Sequence, residues 1–175
     1  MRTELSEQLT ELIPRLRRFA SGLAGSTDRG DELVQAACER LLGHQERLRP
    51  DTRLDSWMYR VIRNLHVDSI RAQSVRDRGA QQLRLVGESQ PAGSSGLDEQ
   101  LHLHDVHDAM LQLPEEQRSA LMLISVEGLS YKEAAEVLQV PMGTVTSRLI
   151  RGRKALVALL DHEDAEFGME VSNER

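Results

Sequence analysis

The sequence predicts an all-α protein made of two small helical domains joined by a flexible linker, and three observations lead there. Aromatic residues make up only 3% of the 175. A core must therefore be built from Leu, Val, Ile, Met and Ala, which suits helices packed on helices better than strands rich in β-branched and aromatic residues. Apolar residues recur at helical spacing, and polar–apolar alternation is scarce. The periodic signal fades once, between Gln73 and Gln100, around Gln90-Pro91-Ala92-Gly93-Ser94-Ser95-Gly96, a composition that suits a flexible linker. The expected organisation is a first domain over residues 1–75, a linker over 76–98, a second domain over 99–161 and an acidic, non-periodic tail over 162–175, read as disordered.

In the first block, Leu5, Leu9, Leu12, Leu16 and Leu23 approximate one stripe. Pro14 lacks an amide hydrogen, so it either starts the main helix or kinks it. Gly25-Ser26-Thr27-Asp28 reads as a helix stop followed by a new cap, with a second helix from about Asp31 to Leu42. The loop Arg47-Leu48-Arg49-Pro50-Asp51-Thr52-Arg53 leads into a third helix from Leu54 to about Ala72. On that helix Leu54, Met58, Val61, Ile62, Leu65, Ser69 and Ala72 share one face. Arg60, Arg63, Asn64, Val67 and Arg71 share the other, with Trp57 at its edge. Cations that track a backbone, an amide that reads base edges and an indole that stacks or wedges are the parts needed to hold single-stranded DNA. Core packing is the competing use of Trp57.

The second block has the sharper grammar. Ser130 with Glu133 has capping-box spacing. Ala134, Ala135 and Leu138 supply packing groups, Gln139-Val140-Pro141-Met142-Gly143 breaks the helix, and Thr144 can cap the next one. This is the pattern of a helix-turn-helix. In the second helix, Val145, Leu149, Gly152, Leu156, Leu159 and Leu160 fall within one arc of roughly 120° at about 100° per residue. Thr144, Ser147, Arg148, Arg151 and Lys154 lie opposite, with no acid among them. Gly152, within the apolar stripe, marks a close helix approach despite a cost of about 1 kcal/mol relative to Ala.

The formal net charge of −6 argues against a general polyanion binder. The charge is segregated, however. Residues 145–160 carry +4, while the flanking stretches 101–144 and 161–175 each carry −5. That pattern fits a local phosphate contact. The single cysteine, Cys38, cannot form an internal disulfide and reads as a packed thiol. His102, His104 and His107 near Asp105 and Asp108 read as a polar helix start rather than a metal site. No metal or cofactor is expected. There is no glycine-rich phosphate loop after a strand and no nucleophile elbow, so the chain is not read as an enzyme. No apolar run is long enough to span a bilayer and no signal peptide precedes the first helix, so no membrane insertion and a cytoplasmic location are expected.

Taken together, the two blocks resemble the extracytoplasmic-function sigma factors of bacterial RNA polymerase. The first is similar to the promoter-melting region 2 of that family. The matching stretches are Arg15-Leu16-Arg17-Arg18-Phe19-Ala20, Asp31-Glu32-Leu33-Val34-Gln35, and Asp55-Ser56-Trp57-Met58-Tyr59-Arg60-Val61-Ile62-Arg63-Asn64-Leu65, followed by Asp68 and Arg71. The second is similar to region 4, through Leu113-Pro114-Glu115-Glu116-Gln117-Arg118, Glu127-Gly128-Leu129-Ser130-Tyr131-Lys132-Glu133-Ala134-Ala135, and Val140-Pro141-Met142-Gly143-Thr144-Val145-Thr146-Ser147-Arg148-Leu149.

The resemblance implies a set of roles. Asp31, Glu32, Leu33, Val34 and Gln35 would meet the polymerase core, formed there by its β and β′ subunits. Arg49, Arg53, Trp57, Arg60, Arg63, Asn64 and Arg71 would recognise and melt the promoter −10 element. Thr144, Ser147, Arg148, Arg151 and Lys154 would read the −35 duplex, and an anti-sigma factor would control the whole. Two departures stand out: family members often carry a basic residue at the position of Thr146 and Ala at that of Gly152. The alternative is a stand-alone helix-turn-helix regulator that does not bind core polymerase. The Arg-rich loop and the Trp57 helix argue against it, because a dimerisation block has no need of a single-strand surface.

Overall fold

The computed structural model describes the backbone of residues 2–44, 52–80 and 99–172, and the side chains of residues 4–44, 52–76 and 105–161. Seven α-helices follow one another within these stretches: α1 Arg2–Ala24, α2 Thr27–His44, α3 Leu54–Ala80, α4 Glu99–Gln112, α5 Glu115–Leu121, α6 Tyr131–Leu138 and α7 Met142–Ser172. A single π-helical turn, Met122–Val126, extends α5. No strand occurs among the described residues.

The first block is a bundle of α1, α2 and α3. Pro14 lies inside α1 and does not begin it. Its local cost is the missing donor to the Thr10 carbonyl one turn back. The α1–α2 corner follows the predicted stop and cap. Gly25 takes a left-handed φ of +78°, its amide bonds to the Ser21 carbonyl at 2.8 Å, and the Ser26 hydroxyl accepts from the Arg29 amide at 3.3 Å. Gly30 allows α2 to lie against α1, since a β-carbon there would stand 2.7 Å from the Ser21 backbone nitrogen. Leu16, Phe19, Leu23, Leu41, Met58, Tyr59 and Ile62 fill the bundle. Phe19 and Tyr59 meet edge to face, with ring centroids 4.9 Å apart, a favoured aromatic geometry.

In the second block the capping box forms as the spacing predicts. The Ser130 hydroxyl accepts from the Glu133 amide at 3.3 Å, and the Glu133 carboxylate accepts from the Ser130 amide at 2.7 Å. The turn is shorter than expected. Gln139, at φ +55°, closes α6 in the left-handed conformation. The next helix starts at Met142, two residues before Thr144. The carbonyl of Pro141 already accepts from the amides of Thr144 at 2.9 Å and Val145 at 3.2 Å. Thr144 is therefore inside the first turn of α7 and does not cap it. Gly152 does mark a close approach, because a β-carbon there would lie 2.9 Å from Leu121 Cδ1 and 3.3 Å from Gln117 Cβ.

Three elements run further than the periodicity indicated: α2 spans Thr27–His44 where about Asp31–Leu42 was expected, and two others extend at their C-terminal ends. Helix α3 continues past Ala72 to Ala80, and α7 continues to Ser172, through most of the stretch read as a disordered tail. Acidic and polar residues weaken an amphipathic stripe without forbidding the helix, since Glu, Gln and Arg are good helix formers.

The two blocks are packed against each other. Among the described residues, one continuous apolar cluster includes Leu16, Phe19 and Ile62 from the first block and Met122, Leu123, Leu138 and Leu149 from the second. Two glycines of the first block receive side chains of the second. A β-carbon at Gly22 would meet Met122 Cε at 2.4 Å, and one at Gly25 would meet Leu111 Cδ1 at 2.9 Å.

Candidate nucleic-acid and polymerase interface

Helix α7 sorts its residues as its periodicity demands. Val145, Leu149 and Gly152 are buried and Leu156 is half-buried, while Ser147, Arg151, Arg153 and Lys154 are exposed. Arg151 folds back along its own helix, donating to the Ser147 carbonyl at 3.2 Å, and the Ser147 hydroxyl donates to the Thr144 carbonyl at 3.0 Å. Thr146 likewise donates to the Met142 carbonyl at 3.0 Å. Arg148 is the exception on this face. Its side chain is only 13% exposed and pairs with Glu116 at 3.0 Å. Ser147, Arg151 and Lys154 thus form an open polar surface, with half-buried Thr144 and Arg148 at its base.

On α3, Met58 and Ile62 are buried, and Tyr59, which the periodicity did not assign, is the largest fully buried side chain among the described residues. Trp57 is half-buried and packs on the core, with α3 presenting part of the indole to solvent. Arg60, Arg63 and Asn64 are half-buried, whereas Arg71 is exposed. Arg63 donates from Nε and Nη2 to Glu115 at 3.2 and 3.3 Å. Arg53 pairs with Asp55 at 2.8 Å and with Glu133. Arg49 and the loop before Thr52 lie outside the described residues.

On α2, Glu32 and Gln35 are exposed and Leu33 is half-buried. Asp31 is gripped by Arg17, which donates twice at 2.7 Å and holds the Asp31 carboxyl below its usual range. Val34 is buried at 5% exposure. It supports this surface from beneath and is not part of its accessible face. His107 points Nε2 toward the Gly25 carbonyl at 3.5 Å. The side chains of His102 and His104 lie outside the described residues.

The sequence reading missed a group of four residues centred on Glu127. The π-helical turn, closed by the Glu127 amide on the Met122 carbonyl at 2.9 Å, delivers Glu127 to the first block with its carboxylate fully buried. Arg18 donates to both of its oxygens at 2.8 and 3.0 Å. Arg15 donates to Oε2 at 3.3 Å and to the Glu127 carbonyl at 2.9 Å, and the Tyr59 phenol donates to Oε2 at 2.7 Å. Burial first, and the hydrogen bond to Glu127 second, push the Tyr59 phenol above its ordinary range and keep it a donor. One signal in the sequence pointed here: Glu127 is a lone acid directly after the apolar run Leu121-Met122-Leu123-Ile124-Ser125-Val126, where burial of a charge demands partners.

Comparison with known proteins fits this geometry. Residues 103–156 match the family model for sigma-70 region 4, and residues 9–63 match the model for the sigma2 domain of PhyR. The ECF RNA polymerase sigma factor EcfG of Rhodopseudomonas palustris is 34% identical over 167 residues, covering 94% of this chain and 90% of that protein. SigE of Mycolicibacterium smegmatis, also an ECF sigma factor, is 31% identical, covering 91% of this chain and 63% of its own length. Among solved structures, the sigma factor RpoE of Bartonella quintana, determined in complex with the anti-sigma factor NepR, superimposes with a TM-score of 0.75. It is 28% identical and covers 90% of this chain and 97% of that one. CnrH, solved with the cytosolic domain of CnrY, shares the fold at a TM-score of 0.68 and 21% identity, over 93% of this chain and 90% of its own. The two blocks define a sigma-70-type protein with regions 2 and 4 in order. The chain belongs to the extracytoplasmic-function family of RNA polymerase sigma factors.

Proposed function

We propose that this sigma factor joins the polymerase core through the exposed side of α2, at Asp31, Glu32, Leu33 and Gln35, and carries it to promoters with two DNA surfaces. The open face of α7, at Thr144, Ser147, Arg148, Arg151 and Lys154, reads the −35 duplex from the major groove. Arginine forks pair with guanine edges, while Lys and hydroxyl groups hold phosphates. The face of α3 with Trp57, Arg60, Arg63, Asn64 and Arg71, together with Arg49 and Arg53, holds the melted −10 strand by charge and stacking. Residues 1–75 serve melting and core binding, residues 76–98 serve as linker, and residues 99–161 serve −35 recognition. RNA synthesis belongs to the polymerase, and this subunit contributes recognition and not a reaction of its own. No helix among the described residues is long and apolar enough to cross a membrane, and the place of work is the cytoplasm, where the polymerase is. An anti-sigma protein acts on it, a reading supported by the related RpoE, solved with NepR.

The observation that carries this reading is the pairing, in one chain, of a capped helix-turn-helix with a basic outer face and a separate Trp- and Arg-bearing helix. Reconstituted transcription tests it. Purified protein is mixed with sigma-free core polymerase and the DNA upstream of its own gene. Run-off transcripts that require the protein are the expected outcome. Folded protein that neither co-elutes with core nor supports a transcript would favour the stand-alone regulator.

A further inference from the structure

We propose that Arg17, on α1, is a positioning residue for the polymerase-binding surface of α2, holding the Asp31 carboxylate in the orientation in which the core receives it. This role rests on the reading of α2 as the core-binding element. The pair is side-on: Arg17 donates from Nε to Asp31 Oδ1 and from Nη2 to Oδ2, both at 2.7 Å. Two parallel bonds fix the plane of the carboxylate as well as its distance, which a single ammonium contact does not. A carboxylate has about four lone-pair sites, so the outer ones of Asp31 stay open to a further donor. The two side chains are 51% and 42% exposed, so a partner chain can reach them. An exposed pair adds little to folding, and its two-bond geometry is of more use to a partner than to the fold.

The fork stands on a close helix contact. Gly30 immediately precedes Asp31, and a β-carbon there would lie 2.7 Å from the backbone nitrogen of Ser21. Ser21 is one turn beyond Arg17. Backbone contact beside the pair therefore sets the separation of α1 and α2, and with it the reach of the guanidinium.

The surroundings give the fork its use. At about 100° per residue, Asp28, Asp31, Glu32, Gln35 and Glu39 occupy an arc of about 100° on α2. All are exposed except half-buried Asp31. Gln35 donates to Glu39 one turn on, at 3.2 Å. This face carries four carboxylates and suits a basic surface of the core. Arg17 keeps the carboxylate at the edge of the arc from swinging freely. A side chain already held in its bound orientation spares association an ordering cost.

Equilibrium binding of the full chain to sigma-free core polymerase tests this, with thermal unfolding beside it. Arg17→Ala should weaken core binding about threefold to tenfold, with only a small change in the thermal midpoint. Arg17→Lys, which keeps the charge and loses the fork, should restore part of the affinity. The deciding measurement is a double-mutant cycle. In an Asp31→Ala background, Arg17→Ala should cost nothing further, because no carboxylate is left to hold. Losses that add would mean that Arg17 meets the core itself or acts through helix packing, and would overturn the positioning role. Gln35→Ala, which leaves the fork intact, separates the two ways of failing. Weakened binding in Gln35→Ala with full affinity in Arg17→Ala overturns the role of Arg17 and leaves α2 as the core-binding element. Full affinity in both Gln35→Ala and Asp31→Ala removes α2 from the core interface, and the role of Arg17 falls with it.

Discussion

Arg148 Nη2 stands 3.0 Å from Glu116 Oε2, tying α7 to the first turn of α5. Arg148 Nη1 is buried with no hydrogen-bond partner, so the guanidinium is held at the base of the polar face with one donor uncommitted. To reach a base edge or a phosphate it must leave Glu116. We expect Arg148→Ala to weaken holoenzyme binding to a −35 duplex about tenfold to a hundredfold, the range for loss of one good arginine contact of about 1–3 kcal/mol. Binding to core polymerase should stay within about twofold, because the proposed core site on α2 and the proposed DNA face of α7 are separate surfaces. Glu116→Gln should act in the opposite direction, since phosphate then has no carboxylate to displace. Gel-shift titrations with duplex, beside co-elution with core, check both. Equal loss of core and DNA binding by Arg148→Ala would sink the division of labour.

The capping box of α6 supports a second prediction. The Ser130 hydroxyl satisfies one orphan amide at the helix start, and Ser130→Ala should cost about 1 kcal/mol of stability. Glu133 is held at about 2. The bond from Arg53 is the larger cause, and the Ser130 amide and hydroxyl add to it. A carboxyl depressed in the folded state stabilises fully above its unfolded value of 4.5 and loses that contribution as pH falls toward 2. Arg53→Ala should therefore lower the neutral plateau, only slightly because the pair is exposed, and converge with the parent near pH 2, which flattens the limb between those values. Urea titrations across that range measure it.

Much of each block was legible because its signals are local. The capping box at Ser130 and Glu133, the Gly25 stop and the apolar arc through Val145, Leu149 and Gly152 are patterns within one or two turns, and each formed as spacing dictates. The cap of α7 was misplaced at Thr144 because a proline carbonyl can accept the first helical bonds as well as any residue, and Pro141 does. What sequence could not show was the meeting of the blocks. Arg15 and Glu127 are 112 positions apart, and no periodicity relates them. Arg63 reads as a free cation on a polar face until Glu115 is placed opposite it. Gly22 likewise looks like a weak point in α1 until Met122 occupies the space its missing side chain leaves.

Gly30 gives a third prediction. A β-carbon there would meet Ser21 Oγ at 2.5 Å, its backbone nitrogen at 2.7 Å and its Cα at 2.9 Å. The hydroxyl could rotate, but the backbone cannot yield without moving α1 from α2. Ala gains about 1 kcal/mol in helix propensity over Gly, whereas overpacking a well-filled contact costs about 1–3 kcal/mol and occasionally more. Gly30→Ala should thus be net destabilising, and thermal unfolding should show a lower midpoint than the parent. Gly43 is the control. Its β-carbon would meet nothing within 4 Å, so Gly43→Ala should hold or raise the midpoint. A Gly30→Ala midpoint at or above the parent's would show that α1 and α2 are not packed as described.

The last prediction concerns His66, buried on α3 with 6% exposure and with Nε2 lacking a hydrogen-bond partner. Burial, first, and then the charge of Arg118 lower its pKa below 6.5; Arg63 and Arg29 act in the same direction, and Glu115 opposes them. The sign follows from the proton count. A histidine depressed in the folded state binds its proton more readily when unfolded, so its stabilising effect is complete above pH 6.5 and is lost as pH falls below that value. The urea midpoint should therefore be lower at pH 5.5 than at pH 7.5, a window above the one in which Glu133 titrates. Two causes of an acid-sensitive midpoint are thus separable by where they act. His66→Phe, which keeps an apolar ring at the site and removes the titrating group, should abolish most of the difference between the two pH values. A midpoint as sensitive in His66→Phe as in the parent would locate the mild-acid loss elsewhere in the chain.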